Sequence, residues 1–127
     1  NNTQMEKTAN YKPAFSDSQS HAALDYEIST LLKNEINVIL VGPPHHPLAL
    51  SHVPQNKWDG MNHTLQKYSN WPGVTIVDFT WSDGWIDDHF YDRNHLDDEG
   101  RQEFCERLAP YIGSALESAN ARINFDE

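Results

Sequence analysis

The residues whose types and spacing could do chemistry lie within DDHFYDRNHLDDEG, residues 87–100, where Asp92 stands three positions before His95. A tight turn at this spacing lets the carboxylate accept a hydrogen bond from the imidazole Nδ1–H. That bond fixes the tautomer and stabilises the imidazolium that forms when Nε2 takes up a proton. The spacing therefore permits a catalytic interpretation, in which Asp92 orients His95 for proton transfer. An Asp-rich surface loop with a structural histidine has the same pattern, so both interpretations stay open on these residues alone.

The elements that must position this pair follow from the apolar spacing along the chain. INVILV and VTIVDF are apolar and β-branched, which is typical of strands buried on both faces, and amphipathic spacing predicts the helices between and after them. We predict a helix capped by Ser18 or Ser20, strands at 36–41 and 74–79, and helices at 56–68 and from Asp97 to Ser118. The buried stripe expected on the last helix consists of Phe104, Leu108, Tyr111, Ile112 and Leu116. The order α-β-α-β-α predicts an α/β fold with a parallel sheet.

The length and the number of strands together bound the domain organisation. A chain of 127 residues is enough for one domain, but two strands this apolar call for neighbours on both edges. We therefore predict that residues 18–127 are part of a larger α/β sheet, which another segment or a second chain completes. A swapped homodimer is one form of such completion. Residues 1–17 are polar and aperiodic, with Pro13, and are predicted to be a flexible tail or linker.

Charge and cysteine content exclude several classes of function. The net charge of -10 leaves no basic stripe for nucleic acid, and no apolar run approaches the roughly 20 residues of a membrane span. Cys105 is the single cysteine, so neither an internal disulfide nor a Cys-x-x-Cys metal site is available. We expect no nucleic-acid partner and no membrane span in this segment.

The run VTIVDFTWSDGWIDDHFYDRNHLDDEGRQEFCERLAPYI resembles the C-terminal block of the SGNH (GDSL-like) hydrolases and acyltransferases, and NVILVGPPHHP resembles their penultimate strand and the loop after it. The residues that carry the resemblance are Phe90, Tyr91, Asp92, His95, Leu96, Gly100, Phe104 and Leu108. The resemblance implies a flavodoxin-like three-layer α/β/α fold and no cofactor. It also implies ester hydrolysis or O-acyl transfer on acylated glycans or similar O-acyl esters. Similarity to the envelope branch of the family favours an extracytoplasmic or cell-envelope location.

The family's nucleophile block does not occur in this chain. In FSDSQS, Ser16 and Ser18 flank Asp17, but no apolar strand precedes them and no glycine permits a sharp turn. The resemblance therefore implies that residues 18–127 are the C-terminal part of such a domain, which a missing N-terminal half or a second chain completes. It also implies that this chain supplies the His95–Asp92 part of a Ser-His-Asp triad and that the serine lies outside it. The alternative is a catalytically inert binding or scaffold module in which the Asp-x-x-His unit is a relic.

Further candidates surround the pair. The resemblance places His45 and His46 near the cleft as substrate contacts, and Trp81 and Trp85 flank Ser-Asp-Gly, where a sugar ring could stack. The rival chemistry is metal binding by two sets of side chains, His89 with Asp92 and His95, and His45 with His46 and His52. Ligands spaced three apart on a loop have no fixed geometry, so we expect no metal.

Overall fold

The computed structural model describes residues 17–125, with side chains from 18 to 119. The elements are α1 (Asp17–Lys33), β1 (Val38–Gly42), α2 (Pro47–His52), α3 (Gln55–Ser69), β2 (Val74–Asp78), a 3-10 turn (Asp87–His89) and α4 (Asp98–Phe125). None of the helices in this part of the chain is long and apolar enough to cross a membrane.

The two strands form a parallel sheet, and their register runs from Val38 opposite Val74 to Gly42 opposite Asp78. Because side chains alternate along a strand, each face of the sheet has its own core. On one face Val38 and Leu40 pack with Val74 and Ile76 beneath α1 and α3. On the other face Ile39, Val41 and Val77 pack against Phe104 and Leu108 of α4. Helices thus cover both faces, and the predicted α/β class with a parallel sheet is confirmed. The flavodoxin-like assignment stays a prediction, since the described sheet has two strands.

A polar cluster ties α1 to α3 on the first face. Tyr68 is almost fully buried, and its hydroxyl donates a hydrogen bond to Asp25 Oδ1. Lys67 Nζ lies 2.7 Å from both carboxylate oxygens of Asp25. Burial and the hydrogen bond to Asp25 raise the pKa of Tyr68 to about 12, so the phenol stays neutral where it crosses between the helices.

The structure departs from the predicted elements in several places. The loop predicted at 42–55 contains α2, which Pro47 can begin because the first helical position needs no N–H donor. The first helix begins at Asp17, so Ser18 and Ser20 lie inside its first turn rather than before it. The predicted tail, residues 1–17, falls outside the described residues apart from Asp17.

The last helix is longer than predicted, and its apolar stripe is only partly buried. At 1.5 Å per residue the 28 residues of α4 extend about 42 Å, whereas a strand of 5 residues extends about 17 Å. Only part of α4 can therefore contact the sheet. The contacts extend into the middle of the helix, where Tyr111 and Ser114 line a groove with Val74. Phe104 and Leu108 pack against the sheet, while Tyr111, Ile112 and Leu116 are exposed, contrary to the prediction.

Candidate functional site

The loop that carries Asp92 and His95 is closed at its base by backbone pairing. Phe90 and Leu96 form an antiparallel bridge, the Tyr91 N–H donates to the His95 carbonyl at 2.9 Å, and the Asp97 N–H donates to the His89 carbonyl at 3.0 Å. Phe90 is buried in the core beneath α4. The loop is therefore anchored to the packed part of the fold.

Helix α4 begins directly after this loop, and Asp97 caps it. The Asp97 Oδ1 accepts a hydrogen bond of 2.8 Å from the Gly100 N–H, which satisfies one of the free donors of the first turn. Gly100 is buried against the His89 carbonyl, where a Cβ atom would lie 2.9 Å from the carbonyl carbon. Only a residue without a side chain fits this contact, so the glycine sets how closely α4 approaches the loop.

At the tip of the loop three donor groups surround the Asp92 carboxylate. Its Oδ1 receives the backbone N–H groups of Asn94 at 2.8 Å and of His95 at 2.9 Å. The His95 Nδ1 lies 2.9 Å from Oδ1 and 2.8 Å from Oδ2. The turn 92–95 is thus built around the carboxylate, and the structure brings Asp92 and His95 together at hydrogen-bonding distance.

This arrangement favours the charged form of Asp92 and orients the His95 ring. A carboxylate that accepts backbone N–H donors is stabilised in its charged form, and the N–H of Asn94, followed by the His95 side chain, lowers the pKa of Asp92. An ionised carboxylate accepts only, so His95 Nδ1 must carry the proton. Nε2 is then the nitrogen that faces away from the carboxylate, on a side chain that is 75% exposed.

A shallow groove with a volume of about 300 Å³ lies beside the pair, lined by Tyr91, His95, Leu96, Asp97, Asp98 and Arg101. Arg101 is paired with Asp98 by a salt bridge across one turn of α4. The groove therefore offers His95 one open side on which a second molecule or segment can lie.

His46 connects the two loops at the carboxyl ends of the strands. Its Nδ1 accepts the Leu48 N–H at 3.1 Å, capping α2, and its Nε2 lies 3.2 Å from Asp87 Oδ1. The ring also packs edge-on against Phe90, with centroids 5.4 Å apart. Both nitrogens of His46 are engaged, so it holds the 3-10 turn in place. The sequence does not predict this role, because His46 and Asp87 are far apart along the chain. They come together only when the two strands pair in parallel and bring their following loops to the same edge of the sheet.

The two tryptophans expected to bind sugar differ in environment. Trp85 is 8% exposed, its Nε1 donates to Ser82 Oγ at 2.8 Å, and the Arg107 guanidinium lies 4.5 Å from its ring centroid. Arg107 also donates to the Asp83 carbonyl at 2.8 Å. Trp85 therefore belongs to the core. Trp81 is 50% exposed and stays a candidate.

His45 lies in the loop after β1 and is partly buried. Its ring contacts Trp58 edge-on at 5.8 Å. Burial lowers the pKa of His45, and the Asp78 carboxylate opposes that effect only in part. His45 is therefore held neutral at the carboxyl end of the sheet.

The residues of the rival metal hypothesis do not converge. Across residues 17–125 no group of three or more His, Cys, Asp or Glu side chains is placed to hold an ion. His89 Nδ1 instead accepts the Ile86 N–H at 3.3 Å, and His52 Nδ1 lies 2.6 Å from the Leu48 carbonyl oxygen.

Two serines near these loops have structural partners. Ser51 Oγ donates to the Leu48 carbonyl at 2.8 Å. Ser82 Oγ donates to the Phe79 carbonyl at 2.9 Å while it accepts the Trp85 indole N–H. Neither hydroxyl is placed as a nucleophile for His95.

Fold and site thus define an α/β segment with an oriented Asp–His pair on a loop that follows a parallel strand. The chain is similar to a trehalase from Dictyostelium discoideum, with 30% identity over 128 aligned positions that cover 88% of this chain and 21% of that protein. It therefore spans about a fifth of the length of this curated relative. No family model and no solved structure matches the chain.

These comparisons overturn the expected membership of the SGNH hydrolases. That prediction is wrong: the curated match is a trehalase, and no family model or solved structure supports the assignment. Asp-x-x-His is a short pattern, and a strand followed by a loop and an amphipathic helix recurs throughout α/β proteins. Such features determine the local geometry of a loop without defining a family.

Proposed function

We propose that this chain supplies the general acid–base pair of a hydrolase that acts on O-acylated glycans or similar O-acyl esters. His95 Nε2 removes the proton from the attacking hydroxyl, and the Asp92 carboxylate stabilises the imidazolium that results. The imidazolium then returns the proton to the leaving alcohol. The observation that carries the proposal is the Asp92 carboxylate, held by two backbone N–H groups and within 2.8 Å of His95 Nδ1.

The nucleophile in this proposal comes from a segment outside these residues, and three observations support such a completion. Each strand of the described sheet has one neighbour, so each keeps one edge without a partner strand. Tyr111, Ile112 and Leu116 expose apolar surface beside the sheet. Arg93 Nη1 is buried without a hydrogen-bond partner in residues 17–125, and a buried unpaired donor is costly. A further segment of the polypeptide or a second chain would pair the strand edges, cover the apolar side chains and accept a hydrogen bond from Arg93.

Glycans are proposed as the alcohol part of the ester because the relative named trehalase is similar over most of this chain. That similarity favours a second candidate, the hydrolysis of a glycosidic bond. Glycosidases generally need one protonated and one ionised carboxyl group. The lowered pKa of Asp92 makes it unfit as the acid. In the second candidate Asp92 would stabilise positive charge, and the acid would come from elsewhere.

The test is hydrolysis of p-nitrophenyl acetate, an activated ester that an imidazole can cleave with water as the only other reactant. Wild type, His95→Ala and Asp92→Asn are compared with His63→Gln, which removes an exposed histidine of α3. If all seven histidines reacted alike, each would contribute about one-seventh of the rate. We expect His95→Ala and Asp92→Asn each to lose far more than one-seventh of the hydrolysis rate. His63→Gln should lose no more than one-seventh.

Natural substrates separate the two candidates when this segment is assayed together with the polypeptide that supplies the missing nucleophile or acid. Acetate release from an acetylated xylo-oligosaccharide supports ester hydrolysis, and glucose release from trehalose supports glycosidic cleavage. A His95→Ala variant that cleaves p-nitrophenyl acetate as fast as His63→Gln overturns the catalytic role of the pair and leaves the inert binding module.

A further inference from the structure

A row of aromatic rings lies at the carboxyl ends of both strands. The Trp58 and Trp81 rings meet edge to face with centroids 5.0 Å apart. The His45 ring also contacts Trp58, with centroids 5.8 Å apart. Trp58 is 7% exposed whereas Trp81 is 50% exposed. The outer ring of the row is therefore open to solvent and is held in orientation by a buried one.

Polar groups accompany this row. The Trp58 Nε1 is buried and has no hydrogen-bond partner in the part of the chain that the structure describes. Such a donor calls for a water or a ligand group. Asp78 ends β2 with an exposed carboxylate, whose Oδ1 accepts the Thr80 N–H at 2.9 Å and whose charge acts on His45. An aromatic face, hydrogen-bond donors and an acceptor thus occur within one region.

We infer that Trp81, supported by Trp58 and joined through it to His45, is a stacking subsite for one sugar ring of a neutral glycan. The inference rests on the proposed hydrolase function for its class of substrate. The C–H face of a pyranose packs on an indole ring, and its hydroxyl groups require acceptors and donors at the rim. The acidic surface, with a net charge of -10, opposes phosphorylated or nucleic-acid ligands. Trp85, buried beneath Arg107, takes no part.

The experiment follows the indole N–H signals of the protein in ¹H–¹⁵N spectra during titration with cellobiose, xylobiose and trehalose. Glycerol serves as the control for a non-specific polyol effect. The sequence has four tryptophans, and the Trp81 signal is assigned from the spectrum of Trp81→Phe. We expect saturable shifts at Trp81 and Trp58 with at least one disaccharide and no shift at Trp85.

The variants make the result specific to the exposed ring. Trp81→Ala is expected to weaken disaccharide binding by about tenfold or more, since the loss of one stacked ring corresponds to roughly 1.4 kcal/mol, and Trp81→Phe by less. Tyr26→Ala removes an aromatic ring that is 74% exposed on α1 and should bind as wild type does. Linear shifts equal to those in glycerol, or equal affinity of Trp81→Ala and wild type, overturn the subsite.

Failure of the subsite differs from failure of the proposed function. His95-dependent cleavage of p-nitrophenyl acetate without saturable sugar shifts removes the subsite alone. Saturable shifts at Trp81 without His95-dependent cleavage remove the catalytic proposal and leave a sugar-binding module.

Discussion

Replacing Gly100 by alanine should destabilise the protein and displace the loop that carries Asp92 and His95. A Cβ atom at this position would overlap the His89 carbonyl oxygen, and it would lie 2.9 Å from the carbonyl carbon and 3.0 Å from Leu96 Cδ2. The obstacle is backbone, so no change of rotamer relieves it. Either the first turn of α4 or the base of the loop must move.

The magnitude follows from two opposing effects. Alanine in place of glycine in a helix gains about 0.5–1 kcal/mol, and overpacking of this kind costs about 1–3 kcal/mol. We expect Gly100→Ala to lower the free energy of unfolding by about 1–2 kcal/mol. Gly113→Ala is the matched control, because it lies in the same helix and its added Cβ would meet nothing within 4 Å. That variant should be more stable than wild type by about 0.5–1 kcal/mol.

Urea denaturation followed by circular dichroism measures both variants. With a slope of about 1–3 kcal/mol per molar urea, a difference of about 2 kcal/mol separates their midpoints by roughly 1 M. The amide signals of Asn94 and His95, which report the hydrogen bonds to Asp92, should move in Gly100→Ala and stay in place in Gly113→Ala. A Gly100→Ala protein as stable as Gly113→Ala would refute the close approach of α4 to the loop.

Three further predictions concern titration and packing. The pKa of Tyr68 is raised to about 12 from an ordinary 10.0. The contribution of Tyr68 to stability is therefore present below pH about 10 and is lost as the pH rises through about 12. Absorbance titration should show a phenolate step near pH 12 that Tyr68→Phe abolishes. The pKa of the Asp92 carboxyl is held below its ordinary 3.8, so its contribution is present above pH 3.8 and is lost as the pH falls through the lower folded-state value. Denaturation measured across that acid range should therefore be less pH-dependent in Asp92→Asn, and an unchanged slope would exclude the hydrogen bonds described. Arg107→Gln removes the cation over Trp85 and should lower the free energy of unfolding by about 1–2 kcal/mol, with a change in Trp85 fluorescence; an unaltered midpoint would show that the stacking is not maintained in solution.

The sequence predicted those parts of the fold that depend on local periodicity. β-branched runs gave both strands, at 38–42 and 74–78, to within a few residues, and the order of the elements gave the parallel pairing. The exposure of Tyr111, Ile112 and Leu116 was not predictable in this way, because helical spacing shows which residues share a face but not how completely the neighbouring elements cover that face. The short helix α2 was missed because its length is below what periodicity can resolve.

The candidate site was predictable only where its geometry is local. A carboxylate and an imidazole three residues apart can be recognised as a pair in the sequence, and the structure places them at hydrogen-bonding distance. Their catalytic role stays a proposal. The contacts of His46 with Asp87 and of Arg107 with Trp85 span 41 and 22 positions along the chain, and they exist only because the strand ends and α4 come together in the fold. The same limit explains the mistaken family assignment, since a local motif carried it.

The orientation of Trp81 and that of His95 have a common physical origin. Both side chains are exposed, and each is oriented by a better-buried or hydrogen-bonded neighbour: Trp58 beneath Trp81 and the Asp92 turn beside His95. Both follow the carboxyl end of β2, which is where α/β sheets position ligand-binding loops. Ordering an exposed side chain costs rotamer entropy, and contact with solvent does not offset that cost. The proposed base and the proposed stacking ring are therefore on the loops that follow one strand, as hydrolysis of a substituted glycan would require.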